Sequence, residues 1–300
     1  MVNPSGAGDE ATRAAFDSSL GELRPKLHRY CARMTGSVID GEDVVQEAMI
    51  KAINAFPKAG LIADLDGWLF RIAHNAALDF LRRRRRYEAI HSNQELEMIA
   101  TLVSPEPDRQ AAAASLRTFM RLPAAQRSCV ILMDVLGHSL DEISEVTGTS
   151  VPAVKAALNR GRKRLREIAG ENEDQSIPVL AEPERLRLAA YVDRFNARDF
   201  DAIRDMLADE VRLELVNRTR LNGKREVGRY FHNYSALDDW HFVPGLVDRQ
   251  PALLVRDPRD PASAPAYFVL LQWAGDRLTS IRDFRHARYV IEGAEVVVPA

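Results

Sequence analysis

One stretch of this chain sets two kinds of chemistry at helical spacing. From Asp64 it reads Asp-Leu-Asp-Gly-Trp-Leu-Phe-Arg-Ile-Ala-His-Asn-Ala-Ala-Leu-Asp-Phe-Leu, then five arginines, Arg82 to Arg86. On a helix, Leu65, Leu69, Ile72, Ala76 and Phe80 form one apolar stripe. Arg71, Asn75, Asp79, Arg82 and Arg86 form the opposite stripe, roughly one turn apart. Cations hold phosphates, and Asn and Asp can address base edges. Such a face suits nucleic acid. An arginine run by itself also suits a solvated helix end favoured by the helix dipole.

A second constellation spans Leu140 to Arg166. Leu140, Ile143 and Val146 make the inner stripe of a short helix. Thr147-Gly148-Thr149 makes a turn in which glycine permits a left-handed backbone, and Ser150 can cap the next helix. Val154, Leu158, Gly161 and Leu165 then face inward. Lys155, Asn159, Arg160, Arg162 and Lys163 lie outside or flank that seam. This is helix-turn-helix spacing, although three-helix bundles with no nucleic-acid role share it.

A third lies on a helix expected over Ile39–Phe56, which contains Asp43-Val-Val-Gln-Glu47. Val44, Val45, Ala48, Ala52, Ile53 and Phe56 can pack inward, leaving Asp43, Gln46, Glu47 and Ile50 on the outer face. Two acids, an amide and an isoleucine can dock a helix of another protein; an ordinary solvated face reads the same way.

Three segments and two linkers position these groups. Residues 11–87 read as helices: Phe16 to Met34, Ile39 to Phe56 ended by Pro57 and Gly60, and Trp68 to Arg86. Residues 88–114 hold Pro105, Pro107 and the acids Glu88, Glu95, Glu97, Glu106 and Asp108. They read as a linker with some helix near Glu95–Leu102. Residues 115–168 are again helical. Residues 171–178 form a short acidic linker ended by proline. From 182 to 298 two helices, near 183–196 and 199–208, lead into period-two strands. Val211, Leu213 and Leu215 alternate with Arg212 and Glu214. Further strands are expected at His241–Val247, Ala252–Val255, Tyr267–Trp273, Leu278–Phe284 and Tyr289–Val298. Helices followed by strands suggest an α+β domain.

Composition bounds the class. Apolar content of 46% and charge of 28% are those of a soluble globular chain, and three hundred residues suggest two or three domains. Residues 1–170 carry 23 Lys and Arg against 21 Asp and Glu, while 171–300 carry 18 against 22, so the last third is net acidic. The basic groups cluster at Arg82–Arg86 and Arg160–Arg166, and clustering matters more than net charge for nucleic acid. Cys31 and Cys129 sit far apart in apolar helical patterns, without metal or disulfide spacing; they read as buried thiols in a reducing cytosol. No cofactor, metal, signal peptide or membrane span is expected, which places the chain in the cytoplasm.

The order of motifs resembles one family. Asp-x-x-Gln-Glu comes first, then Trp-Leu-x-x-Ile-Ala-x-Asn-x-x-x-Asp-x-x-Arg-Arg. Leu-Pro-x-x-x-Arg and the helix-turn-helix follow. Together they resemble an extracytoplasmic-function sigma factor over residues 11–168. The resemblance implies that Asp43, Gln46, Glu47 and Ile50 face the β′ clamp helices of core RNA polymerase, with the β flap a further contact. It implies that the loop Lys58–Asp66 captures a base flipped from the −10 element, and that Arg71, Asn75, Asp79, Arg82 and Arg83 act on that element. Leu122-Pro-Ala-Ala-Gln-Arg127 then opens the −35 binding region, with a recognition helix at about 150–166 carrying Ser150, Lys155, Asn159, Arg160, Arg162 and Lys163. The family often places Ser-Arg-Leu-His-Arg-Ala-Arg after a Val-Lys pair. Here Ala156-Ala157-Leu158-Asn159-Arg160-Gly161-Arg162 follows instead, so the −35 preference should differ. Trp68 and Phe70 border the loop, with Trp68 equally suited to anchor the core.

The last segment resembles the SnoaL-like group, relatives of polyketide cyclases and ketosteroid isomerases with a curved, mostly antiparallel sheet-and-helix cone. Tyr191-Val-Asp-Arg-Phe-Asn-Ala-Arg-Asp-Phe-Asp-Ala-Ile, Met206-Leu-Ala-Asp-Glu-Val211 and Ile281-Arg-Asp-Phe-Arg-His-Ala-Arg-Tyr289 carry this resemblance. It implies an apolar pocket for a small ligand. Glu214, Tyr230, His232 and Asp283 are its candidates, with His286 a further one. No fixed spacing links them. His232 also suits a helix surface, and Asp283 could simply pair with Arg282, Arg285 or Arg288. The whole reads as a transcription initiation factor, not an enzyme, whose tail contacts the sigma segments and regulates them in cis. Two rivals remain: a ligand-sensing DNA-binding regulator that never touches polymerase, and a cyclase- or isomerase-type enzyme fused to a DNA-binding module.

Overall fold

Backbone capping sets the first helices. The computed structural model of the chain describes residues 4–60, 62–91, 116–169, 180–260 and 262–298. Helix α1 runs Pro4–Thr35 and α2 runs Val38–Ala55. Between them Ser37 is extended, and its hydroxyl accepts from the amides of Ile39 and Asp40. That satisfies donors a helix start leaves orphaned. A 3-10 turn at Phe56–Lys58 carries Pro57 and ends α2. Helix α3 follows over Leu65–His91, longer at both ends than the expected Trp68 to Arg86.

The described residues fall into two compact units, one comprising the helical segments up to His91 and 116–169, the other beginning at residue 180. The helix expected near Glu95–Leu102 and the linker expected at 171–178 lie outside the described residues.

In the first unit, residues 116–120 are helical. Helix α4, Ala124–Val130, runs on into a π turn at Ile131–Val135. Helix α5 is Leu140–Thr147 and α6 is Val151–Ile168. One apolar core serves the whole unit: Tyr30, Met34, Val45, Ala52, Phe70, Ala73 and Ala76 join Leu122, Val130, Ile131, Leu132, Ile143 and Val154. At Gly41, a Cβ would lie 2.6 Å from the Ala32 backbone, so α1 and α2 approach as closely as they do only because this position is glycine. Buried beside that crossing, Arg24 and Glu42 form an ion pair. Burial of both partners is tolerable only because each neutralises the other.

The second unit begins with α7, Glu182–Asn196, and α8, Phe200–Met206. Strands β1 (Leu207–Leu215) and β2 (Thr219–Asn222) lead to α9, Lys224–Ser235. Strands β3 to β7 follow at His241–Val247, Gln250–Arg256, Tyr267–Ala274, Arg277–Asp283 and Val296–Val297. The seven-stranded sheet has the order β2-β1-β6-β5-β4-β3-β7. Only β1 and β6 pair in parallel; the other ladders are antiparallel. This is the α+β build expected. Tyr191, Phe195, Phe231 and Tyr234 pack from the helices onto Phe242, Leu253, Tyr267, Val269 and Ile281 of the sheet.

Two departures have local causes. The strand expected over Tyr289–Val298 is a 3-10 turn at Arg288–Gly293 followed by the short strand β7, Val296–Val297. Neighbouring Val290 and Ile291 are both buried, and the two-residue alternation of a strand facing solvent on one side cannot bury both. Strand β2 escapes a pattern search because its residues Thr219, Arg220 and Asn222 are exposed at the sheet edge. Among the described residues, no helix is long and apolar enough to cross a membrane.

Candidate nucleic-acid interface

Helices α2 and α3 present the outer faces that their stripes require. Val44, Val45, Ala48 and Ala52 are buried, while Asp43 and Ile50 are exposed and Gln46 and Glu47 half-buried. Ile50 keeps 53% of its surface exposed, uncommon for a large aliphatic side chain beside an intact core. On α3, Leu69, Ala73 and Ala76 are buried; Arg71, Asn75, Arg82, Arg83 and Arg86 are exposed and Asp79 is half-buried.

The sequence did not reveal that these two faces touch. Arg83 donates to both Glu47 oxygens, at 2.6 Å from Nη2 to Oε2 and 3.5 Å from Nη1 to Oε1. Lys51 Nζ lies 2.8 Å from Glu47 Oε1 and 3.8 Å from Asp79 Oδ2. Arg82 pairs with Asp79 at 2.9 Å, and Arg84 reaches Asp40 at 3.2 Å and Glu88 at 2.9 Å. Because α2 and α3 run antiparallel here, residues 51, 47 and 40 meet 79, 83 and 84 in order. The hydrogen bonds from Arg83, reinforced by Lys51, hold the Glu47 carboxyl below the usual carboxylate range against the opposing effect of its partial burial.

The loop before α3 is pinned by its own residues. Asp64 Oδ1 accepts from the Gly67 amide at 3.1 Å. Trp68 packs edge-on against Phe16 at 6.3 Å between centroids, as a border of the core. Phe70 is fully buried and meets the His138 ring edge-on at 4.8 Å. Phe70 is therefore a core residue, not a loop residue. A small cavity of about 90 Å³ is lined by Lys26, Asp66, His138 and Glu142 among others. Burial pushes the pKa of His138 down.

The helix-turn-helix is built as its residues require. Ser139 and Glu142 form a reciprocal capping box at the start of α5, and Gly148 ends it at φ 65°. Gly161 lets α6 lie against α4, since a Cβ there would meet Val130 Cγ2 at 2.8 Å. Lys155, Asn159, Arg160 and Lys163 are exposed on α6. Two expectations change. Ser150 takes the extended N-cap conformation, but its hydroxyl makes no capping bond. Arg162 is clasped by Asp134 of the π turn, Nε to Oδ2 at 2.9 Å and Nη2 to Oδ1 at 2.5 Å. Asp134 lies within the π turn and faces α6. Arg127, the last residue of Leu-Pro-x-x-x-Arg, is buried and donates to the carbonyls of Met34, Met120 and Leu122.

In the second unit the candidates separate. Tyr230 donates to Asp283 Oδ2 at 2.9 Å, Tyr234 to the same oxygen at 2.8 Å, and the Arg285 amide to Oδ1 at 2.8 Å. Arg285 also donates to Tyr267, 2.9 Å away. Asp283 is fully buried, and burial raises its pKa despite these donors. Glu214 and His232 do not join it. Glu214 is held by Arg282 at 2.9 Å and Arg220 at 2.8 Å, and His232 is exposed on α9. Tyr234, Tyr267 and Arg285 complete the cluster. Tyr234 sits one helical turn after Tyr230, a spacing that could have signalled it. A separate groove of about 570 Å³ is lined by Asp209, Glu210, Arg212, Gln272 and Thr279 among others and shares none of these residues. Among the described residues, no group of three or more His, Cys, Asp or Glu is arranged to hold a metal ion.

Sigma-70 region 2 matches residues 20–87 and Sigma-70 region 4 matches residues 116–165. The ECF RNA polymerase sigma factor SigG of Mycobacterium tuberculosis is 27% identical over 91% of this chain and 81% of its own length. SigM of the same organism is 32% identical over 55% of this chain and 80% of its own length. The crystal structure of the extracytoplasmic-function sigma factor SigJ from M. tuberculosis aligns at 19% identity over 89% of this chain and 95% of that one, with a TM-score of 0.37. With region 2 and region 4 in order and a relative of this identity and span, the chain belongs to the extracytoplasmic-function RNA polymerase sigma factors, which bind core polymerase and direct it to promoters.

Proposed function

We propose that the family's two contacts are made by the two outer faces of the α2–α3 pair. Asp43, Gln46, Glu47 and Ile50 dock on the β′ clamp helices of core polymerase. Arg71, Asn75, Asp79, Arg82 and Arg83 act on the −10 element, beside a base-capturing loop at 58–66. Residues 116–168 dock on the β flap and address the −35 element through Ser150, Lys155, Asn159, Arg160 and Lys163, with Arg162 acting from its clasp with Asp134. The observation that carries this reading is the exposure of Ile50 and Asp43 on α2 while α3 turns its arginines and Asn75 outward, away from the buried Leu69, Phe70, Ala73 and Ala76. An exposed isoleucine between acids is suited to a protein surface, and an arginine face with an amide to nucleic acid. Charge reversal of Asp43 and Glu47 together (D43K, E47K) tests the first contact. Loss of co-elution of the folded full chain with core polymerase supports it; unchanged co-elution removes it.

The tail acts on the sigma segments in cis. The acids Glu171, Glu173 and Asp174 of the short connector at 171–178 complement Arg160, Lys163, Arg164 and Arg166 of α6, and the connector's length keeps the tail's effective concentration there high. The buried Asp283–Tyr230–Tyr234 cluster is where a small ligand would bias this contact, provided it binds the two arrangements unequally. Transcription by the full chain and by a version ending at Glu171 tests the idea. Equal output and equal polymerase affinity would remove it.

A further inference from the structure

Glu47 stands on the face assigned to polymerase, and both its oxygens are engaged by Arg83, which stands on the face assigned to promoter DNA. The pair bridges α2 and α3 and is solvent-accessible at both ends, with 51% of the Arg83 side chain and 30% of the Glu47 side chain exposed. Asp40 lies on the same α2 stripe and holds Arg84 through Nη1 to Oδ2 at 3.2 Å. A guanidinium clasped by a carboxylate is electrically neutralised, and the two donors it gives Glu47 are withheld from a phosphate until the clasp opens. In the free chain, therefore, part of the Arg82–Arg86 charge is spent internally. Glu47, whose Oε1 is also reached by Lys51 at 2.8 Å, would share its charge further with a basic surface on a partner and so weaken its hold on Arg83.

We propose that Glu47 couples the two contacts: in the free chain it withholds Arg83, and docking of the α2 face on a basic surface of core polymerase draws Glu47 away and releases Arg83 to a promoter phosphate. This rests on the assignment of the two faces made above. Coupling of this kind is reciprocal, so DNA held by Arg83 strengthens the polymerase contact by the same factor that polymerase strengthens the DNA contact. The pair is exposed, so the factor is modest; exposed ion pairs correspond to about two- to fivefold in an equilibrium constant. Asp40 and Arg84 add a second rung of the same sign, and the Glu88 contact tempers it.

The test uses the full chain with Glu47→Gln, Arg83→Ala and both together. Glutamine keeps the shape of the side chain and removes its charge, and both positions lie outside the core. Binding of each free protein to a short fluorescent duplex of random sequence is measured across salt. Binding of each polymerase-saturated complex to a promoter that it transcribes is measured in parallel. The expected result is about two- to fivefold tighter DNA binding by the free E47Q chain, with a salt slope steeper by about one ion. That gain is absent when Arg83 is alanine and absent in the polymerase-bound complex. An equal gain with and without Arg83 would mean that only a negative charge has been removed, and it overturns the coupling. So does a gain that persists undiminished once polymerase is bound. A different failure, R83A leaving the polymerase-bound complex unchanged in affinity and salt slope, would strike the DNA assignment of Arg83 itself and the coupling with it.

Discussion

The guanidinium of Arg127, which closes the Leu-Pro-x-x-x-Arg motif opening region 4, donates to the carbonyl of Met34 at the end of the first helix of region 2. Its other donors go to the carbonyls of Met120 and Leu122. A single buried cation thus collects three backbone acceptors from two parts of the chain. Burial lowers its pKa to about 10. Replacing it with methionine keeps the bulk and leaves three carbonyls unpaired. We expect R127M to lose about 3 kcal/mol of unfolding free energy in urea, the order of losing hydrogen bonds from a charged donor. A loss below about 1 kcal/mol would show that solvent or a neighbour replaces the guanidinium.

His74 links pH to the stability of region 2. It is 5% exposed, and its Nδ1 lies 2.7 Å from the Tyr30 hydroxyl. Burial lowers its pKa to about 4. The unfolded ring titrates near its ordinary value of about 6.5, so the unfolded state takes up the proton first as pH falls. Stability from the neutral ring is complete above about pH 6.5 and is lost progressively toward pH 4. Between pH 7 and pH 5 the wild-type chain should lose about 2 kcal/mol more than H74Q. Parallel losses in the two proteins would contradict the assignment.

Much of region 2 was legible because its stripes are periodic. Ile39–Phe56 differs from the observed Val38–Ala55 by one residue at each end, and the burial of Leu69 and Ala76 follows directly from helical spacing. The ion-pair ladder was not legible. Whether Glu47 meets Arg83 or a residue one turn away depends on the antiparallel stagger of α2 and α3, which no local pattern encodes. Arg127 was visible as a motif residue, but its acceptors are backbone carbonyls, one of them that of the distant Met34, and carbonyls leave no trace in side-chain chemistry. In the tail, Tyr230 and Asp283 were named and do meet, whereas Glu214 is held by Arg282 and Arg220 and His232 is exposed. No fixed spacing joins a helix residue to the strand it packs on, so residue type alone could not separate the two pairs.

The Asp283 cluster gives the tail its own pH dependence. Burial raises the folded pKa of this carboxyl, so the folded state holds a proton more tightly than the unfolded one. Its contribution is therefore present at low pH and is lost as pH rises through the folded value. D283N should remove that dependence. D283L should cost about 2–4 kcal/mol, because the Tyr230 hydroxyl and the Arg285 amide lose their acceptor in a dry site. Calorimetry of the full chain, following the transition that carries the tail, checks both. A D283L transition unchanged in temperature would show that the carboxylate is not what orders this cluster.

The reading of α3 as the promoter-facing helix is tested most directly by transcription from a promoter library, with core polymerase and three forms of the full chain: wild type, N75A, and R82A/R83A. Asn75 offers an amide that can read a base edge, so N75A should change which −10 sequences are used while leaving total output at the best of them within about tenfold, the order of one lost bidentate contact. On this reading Arg82 and Arg83 hold phosphates, so their joint loss should weaken all promoters alike and flatten the salt dependence by about two ions. Losses that are uniform across sequences in both variants would reduce α3 to a phosphate holder. No change in either would contradict the account.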